Sequence, residues 1–285
     1  MKIAIFPNPD KPGALESSGR IVEFLAARGV GVVVSPEMRT LLQSGEAREP
    51  VEWGQVADFC IVLGGDGTLL SAIRATGSAE LPLLGVNLGH LGFLTEVEAP
   101  DLFGILPQIL DGNYMVEQRA MLYAEVVRNE SSVQTFDALN EVVVSKGPLA
   151  RLVQLNIWVD KRYIDTFPGD GVIISTATGS TAYSLSAGGP IVSPDVECIV
   201  VTPICAHTLY SRPMVISEKS RVGISFAGSS ADMLLTVDGQ EGMRLLPQDL
   251  IQVARSGRKA RLVRLLGWNF FDVLRRKMKE GQVRI

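Results

Sequence analysis

Residues 58–70 read Asp58-Phe59-Cys60-Ile61-Val62-Leu63-Gly64-Gly65-Asp66-Gly67-Thr68-Leu69-Leu70. The first part is apolar and β-favouring, the pattern of a buried strand. Thr68 through Ile73 has helical character, and Thr68 is a favoured N-cap type. Between them lies a turn of three glycines and one carboxylate. A strand-to-helix turn without Cβ atoms lets backbone N–H groups approach an anionic ligand closely. The helix N-terminus beyond it favours negative charge. Asp66 would itself repel a phosphate. A loop that receives phosphate and still carries a carboxylate points to that carboxylate as part of the chemistry. The competing reading is an ordinary glycine turn ahead of a helix.

The residues on either side set this stretch in a repeating pattern. Lys2 to Phe6 reads as a strand ending at Pro7-Asn8-Pro9. Leu15 to Arg28 has helical spacing, with Gly29 placed as a C-cap. Val30 to Val34 is a second strand. Glu37 to Val56 is polar and irregular, broken by Pro36 and Pro50. Leu81 to Val86 is another strand, running into Asn87-Leu88-Gly89-His90-Leu91-Gly92-Phe93-Leu94. Asp101 to Leu110 looks helical. Strand alternating with helix predicts a doubly wound α/β domain with a parallel sheet. In such sheets ligands gather at the carboxyl ends of strands, where Gly64–Gly67 and Asn87–Gly92 both fall.

The pattern changes near Gln118. Met121 to Arg128, Ser132 to Phe136, Leu139 to Ser145 and Leu152 to Val159 are short, alternating, β-rich runs. Val159-Asp160-Lys161-Arg162-Tyr163 has the look of a hairpin corner. Gly171 to Ser175, Cys198 to Pro203, Val222 to Phe226 and Met233 to Val237 continue the series. A mostly-β, sandwich-like second domain is expected. Ala260 to Leu266 and the helical Asn269 to Met278 form a tail suited to pack back on the first domain. The expected division is 1–118, 119–258 and 259–285.

Composition narrows the function classes. A chain of 285 residues with 46% hydrophobic and 20% charged residues can bury a substantial core. The net charge of −4 makes no case for nucleic-acid binding. No apolar run is long enough to span a bilayer. Met1 to Pro7 is broken by proline too early for a signal peptide. Cys60, Cys198 and Cys205 have no C-x-x-C spacing, which fits reduced thiols and a cytoplasmic setting. The two histidines, His90 and His207, are too isolated to argue for a zinc site, and no metal-ligating residues are expected. The absence of G-x-x-x-x-G-K-[ST] excludes a Walker A loop. No G-x-G-x-x-G follows the first strand, so a dinucleotide would not be held as in a dehydrogenase. Ser180 and Ser184 lie outside any G-x-S-x-G, which argues against a hydrolase.

A second stretch, Phe167 to Pro190, is dense in glycines and small hydroxyls around Tyr183. Hydroxyls and amides suit ribose and phosphate, and a flat ring suits a base. A Gly/Ser-rich surface loop has the same composition, and chemistry alone leaves both readings open. Gly64 to Thr68 resembles the GGDGT motif of the NAD kinases, a motif found more loosely in diacylglycerol and sphingosine kinases and in phosphofructokinase-like folds. Gly169 to Pro190 resembles the long signature of the NAD kinases, and Asn140-Glu141 their shorter NE/D motif. The lipid kinases and phosphofructokinases do not share these later segments. The resemblance covers nearly the whole chain.

The resemblance implies an enzyme that binds NAD between an α/β domain and a β domain, often as a homodimer or homotetramer. It implies transfer of the γ-phosphoryl of ATP to the adenosine 2′-hydroxyl of NAD, giving NADP, with Mg²⁺ or another divalent cation carried by ATP. Asp66 would be the proton acceptor, with Gly67 beside it at the ligand. Asn140 and Glu141 would bind adenosine and its ribose, and Asp170 would approach the nicotinamide end. Thr181, Ala182, Tyr183, Ser184, Leu185 and Ser186 would line the adenine and nicotinamide sites, with Tyr183 stacking. Arg151 and Gln240 match positions that often touch the ligand. Ala177 and Ala206 stand where proline is usual, and Pro168 where many members carry a basic residue. Two other readings stay open: a lipid or sugar kinase sharing only the glycine motif, and a non-catalytic NAD-binding regulator.

Other features have plain readings. Cys60 in its apolar strand reads as core packing. Asp238 reads as a hairpin-turn residue. Arg255, Arg258, Lys259, Arg261 and Arg264 read as a solvated strand face. Arg275, Arg276, Lys277 and Lys279 suit the C-terminal end of a helix.

Overall fold

The computed structural model describes residues 1–77, 81–89, 92–147, 152–208, 210–227 and 232–282. His90 and Arg151 lie outside the described residues. The chain divides into two compact units, Met1–Gln118 with Ala260–Ile285 and Arg119–Lys259.

The first unit is built on a parallel sheet. Its strands run Glu46–Ala47, Gly31–Val34, Lys2–Pro7, Phe59–Gly64 and Leu83–Asn87 in spatial order. Phe59–Gly64 is buried at every position, as a strand covered on both faces requires. Phe59, Ile61 and Leu63 share a core with Ile21 and Leu25 of the helix Ala14–Ala26 and with Leu102 and Leu106 of the helix Leu102–Leu110. Cys60 is fully buried, and burial pushes its thiol well above the ordinary range, so it packs as an inert core residue. The strand order reverses at Lys2–Pro7: the chain first steps outward to Gly31–Val34, then returns on the other side with Phe59–Gly64. Loops at the carboxyl ends of such a pair diverge and leave a crevice. Asp66 follows one of these strands and Asn8 the other.

Two local features differ from the pattern expected of the sequence. The helix after the glycines is Asp66–Thr76, with Gly65 as its extended N-cap, so it starts before the expected cap Thr68. Thr68 packs instead against the strand end: a Cβ on Gly64 would lie 2.1 Å from Thr68 Oγ1. That close approach overrides the capping preference of threonine. Pro36 and Pro50 open helical turns where breaks were expected. Pro36 starts the helix Pro36–Leu42, whose Ser35 cap accepts the Met38 N–H at 3.2 Å, and Pro50 starts the 3₁₀ turn Pro50–Glu52.

The second unit packs two antiparallel arrays. One sheet runs Met214–Ser217, Cys198–Ile204, Gly171–Thr176, Glu141–Lys146, Met233–Val237 and Glu241–Leu245. The other pairs Arg162–Gly169, Val153–Val159 and Val222–Ala227 with the strand Leu250–Leu265. Val142, Val144, Val172 and Ile174 of the first meet Leu155, Ile157, Ile224 and Val253 of the second. The α/β plus β-sandwich class expected from the pattern is the class observed. The expected corner at Asp160-Lys161 is a two-residue turn with φ of 51° and 64°. Val143, Ile173 and Ile204 point to the outer face of the six-stranded sheet, where Ala187 packs against them. This attaches the Gly/Ser-rich segment to the sheet. Within the second unit Val253 pairs with Val222, and within the first unit Leu262 pairs with Leu83.

Candidate active site

Asp66 sits at the first position of its helix, at the carboxyl end of Phe59–Gly64. Its carboxylate accepts three consecutive backbone N–H groups from the loop after Leu83–Asn87. Phe93 donates to Oδ2 at 2.7 Å; Leu94 and Thr95 each donate to Oδ1 at 3.1 Å. A carboxylate has about four lone-pair positions, so one acceptor position on Oδ2 remains. The loop closes on Asp66 because Gly92 has no side chain: a Cβ there would lie 1.8 Å from Oδ1. Thr95 holds the turn by accepting the Gly92 N–H at 3.2 Å. Asn87 does the same for Gly89, donating to its carbonyl at 3.0 Å and accepting its N–H at 3.2 Å. Asn8 Nδ2 donates to Thr68 Oγ1 at 3.3 Å, tying together the two loops at the reversal of strand order. Gly67, beside Asp66, is exposed.

A second carboxylate in the second unit is held by the same device. Asp238 accepts the N–H groups of Leu139, Asn140 and Glu141 at 2.8, 2.8 and 3.0 Å. It stands in a turn with φ of 50°, next to Gly239 at 65°. Beyond making the expected hairpin turn, Asp238 therefore clamps the Asn140-Glu141 backbone. Gly179 approaches from the other side, where a Cβ would lie 2.1 Å from the Asn140 carbonyl oxygen. Thr176 adds a hydroxyl bond to the Leu139 carbonyl at 2.7 Å.

Glu141 is only 6% exposed, and its Oε2 has no hydrogen-bond partner among the described residues. Burial pushes its carboxyl up to about 8; the Asp238 charge adds to the rise, and a backbone hydrogen bond from Tyr183 opposes it. An orphan buried oxygen of this kind is what a ligand hydroxyl satisfies. Tyr183 opens the short helix Tyr183–Ser186 and is 45% exposed, so its ring is open to stacking.

The remaining candidates fall into different settings. Thr181 and Ala182 are half-buried; Leu185 and Ser186 are exposed. Ser184 is fully buried, its hydroxyl 2.9 Å from that of Thr202. Gly189 covers that pair, and a Cβ there would lie 2.3 Å from Ser184 Oγ. Asp170 pairs with Lys146 Nζ at 3.0 Å. Gln240 is exposed on the hairpin after Asp238. His207 is exposed, and its N–H donates to the Pro168 carbonyl.

Two family models match the chain: the ATP-NAD kinase N-terminal domain over residues 3–114 and the ATP-NAD kinase C-terminal domain over 139–265. The chain belongs to the NAD kinase family. Among its relatives, the NAD kinase of Moorella thermoacetica is 44% identical over 98% of this chain and 90% of its own length. That of Symbiobacterium thermophilum is 45% identical over 97% and 98%. A crystal structure of yeast NADH kinase complexed with NADH superposes with a TM-score of 0.87 at 27% identity, over 96% of this chain and 85% of that one. An NAD kinase from Archaeoglobus fulgidus in complex with ATP gives 0.77 at 25% identity, over 98% and 99%. The NAD kinase reading of the three motifs is thereby borne out, and a lipid or sugar kinase is not.

Several residues that shape the site carry no signal in the sequence. The amides of Phe93, Leu94 and Thr95 leave no mark in side-chain identity. Asp238 was visible only as an Asp-Gly turn. Lys146 carried no motif. Arg264, read as part of a solvated strand face, is fully buried between Glu96 and Glu117. Its neighbours Arg255 and Arg258 are ion-paired to Glu218 and Asp137. Alternation along a strand distinguishes two faces, but not which charged residue finds buried partners.

Proposed function

We propose that the chain transfers the γ-phosphoryl of ATP to the 2′-hydroxyl of the adenosine ribose of NAD, giving NADP. Asp66 takes the hydroxyl proton on the open position of Oδ2. The observation that carries this reading is the capture of Asp66 by three consecutive amides, which fixes its orientation and leaves a single acceptor position. A ribose hydroxyl is a weak nucleophile, and a positioned carboxylate contributes on the order of 10²–10⁴ in rate. Orientation and charge stabilisation supply the rest.

In this reading, residues 1–118 carry the base with Gly67 beside it, residues 119–258 carry the NAD contacts, and 259–285 complete the first domain. Asn140 and Glu141 bind the adenosine and its ribose, with the orphan oxygen of Glu141 meeting a hydroxyl. Tyr183 stacks on a base, and Thr181, Ala182, Leu185 and Ser186 line its surroundings. Ser184, bonded internally to Thr202, enters by its backbone alone. Asp170 approaches the nicotinamide end with Lys146 holding its carboxylate, and Gln240 and Arg151 touch the ligand.

ATP brings a divalent cation such as Mg²⁺, which offsets the phosphate charge. Among the described residues there is no group of three or more His, Cys, Asp or Glu side chains that could hold a metal ion. No helix among the described residues is long and apolar enough to cross a membrane. The reading places the enzyme in the cytoplasm, where its three unpaired cysteines stay reduced, as a homodimer or homotetramer.

The test is an assay with ATP, Mg²⁺ and NAD, read by an NADP-specific dehydrogenase. NADP formation that requires ATP is expected. Binding of NAD without consumption of ATP would establish a non-catalytic regulator instead.

A further inference from the structure

The amides that hold Asp66 are themselves held from behind. Thr95 donates its N–H to Asp66 Oδ1 at 3.1 Å, and the carbonyl of the same peptide plane, that of Leu94, accepts from Arg264 Nη1 at 3.0 Å. The same Nη1 reaches Glu96 Oε2 at 3.0 Å, and Arg264 Nε reaches Glu117 Oε2 at 2.8 Å. Glu96 Oε1 in turn accepts the N–H of Leu265 at 3.0 Å, and the Glu96 N–H donates to the Gly85 carbonyl at 2.8 Å. The guanidinium carbon lies 4.2 Å from the centre of the Trp268 ring. Arg264 is fully buried, and its charge is met by two carboxylates.

A buried ion cluster is a costly way to hold two strands together, and apolar residues do that equally well. What apolar residues cannot do is fix the direction of a peptide plane. Here one peptide segment turns the N–H groups of Phe93, Leu94 and Thr95 to Asp66, and the Leu94 carbonyl and Glu96 carboxylate to Arg264. We propose that Arg264, with Glu96 and Glu117, is a positioning residue for phosphoryl transfer, acting on Asp66 through the Leu94–Thr95 peptide, whose carbonyl meets Arg264 and whose N–H meets Asp66. The inference rests on Asp66 being the base. A flat guanidinium, with donors in fixed directions, suits this role because it must reach Glu117 from Nε while it reaches Leu94 and Glu96 from Nη1. A lysine keeps the charge and loses that geometry.

The experiment is a double-mutant cycle on the full-length enzyme. Arg264→Lys should lower kcat by about a hundredfold, the scale of a small misplacement of a catalytic group, and leave the NAD dissociation constant within about threefold. In an Asp66→Asn background the same substitution should cause no more than a threefold further loss, because residues acting as a unit are not additive. Glu96→Gln keeps the size of the side chain and serves as the second variant if Arg264→Lys does not fold. It should show the same split between kcat and NAD binding, and the same silence without Asp66. Equal fold-losses in both backgrounds, or a loss confined to NAD binding, would overturn the positioning role. Full turnover by Asp66→Asn alone would instead overturn the base assignment on which it rests.

Discussion

Gly92 and Asp66, 26 positions apart in the chain, touch so closely that a methyl group on one would overlap the carboxylate of the other: a Cβ on Gly92 would lie 1.8 Å from Asp66 Oδ1. The glycine is required by proximity, not by a turn conformation. Gly92→Ala should therefore keep the fold, with a melting temperature within a few degrees of the parent. Asp66 should be displaced, with kcat falling about a hundredfold, as expected when a catalytic group moves by about an ångström. Steady-state kinetics alongside thermal melting checks both; unchanged kcat would show that the carboxylate does not need its present place.

Asp66→Asn replaces one carboxylate oxygen by a donor that faces backbone donors. Turnover should drop on the order of 10²–10⁴ while NAD affinity stays within a few fold. The amide conflict should also lower stability by about 1–3 kcal/mol, the cost of an unsatisfied buried donor. Calorimetric titration with NAD and denaturant unfolding separate the two effects. Turnover equal to the parent would remove Asp66 from the base role.

Glu141 makes stability depend on pH in a stated direction. Its carboxyl is raised from an ordinary 4.5 to about 8, chiefly by burial. The folded chain therefore holds this proton across a range where the unfolded chain has lost it. The contribution is fully present below about 4.5 and is lost as pH rises through about 8. Melting temperature should fall over this window in the parent. Glu141→Gln should flatten the fall and raise the melting temperature at pH 8 and above, while weakening NAD binding. A parallel pH profile in parent and variant would show that Glu141 is not the group responsible.

Asp238→Asn isolates the clamp from the turn, because asparagine tolerates the left-handed conformation at this position. One of the acceptors for the Leu139, Asn140 and Glu141 amides becomes a donor. The Michaelis constant for NAD should rise by about tenfold or more, in line with about 1–3 kcal/mol for an unmet buried group, with a smaller change in kcat. The pH dependence attributed to Glu141 should also weaken, since the Asp238 charge contributes to its raised carboxyl. Unchanged NAD kinetics would confine Asp238 to making the turn.

Tyr183→Ala should raise the Michaelis constant for NAD by roughly 5- to 150-fold, the range expected for one base–aromatic stack. Tyr183→Phe, which keeps the ring, should stay within about twofold. If alanine and phenylalanine behave alike and like the parent, the exposed ring is not a binding surface.

The sequence by itself determined the order of the elements, the change from α/β to β near Gln118, and the three motifs that mark the family. Those features are local: an apolar run, an alternation of period two, and a cluster of glycines each act over a few residues. What only the tertiary structure decided is which partners the charged side chains meet. Asp66 and Asp238 look alike in sequence, each an Asp-Gly in a turn, and each is captured by amides far along the chain. Arg264 and Arg258 sit on one strand, yet one is fully buried and the other sits part-buried on Asp137. The helix starts at Asp66 and not at Thr68 for the same reason, since the fit of Thr68 on Gly64 outweighs the capping preference of one residue. Long-range hydrogen bonds and buried charges depend on packing across the sheet, and no pattern of neighbours in the chain records them.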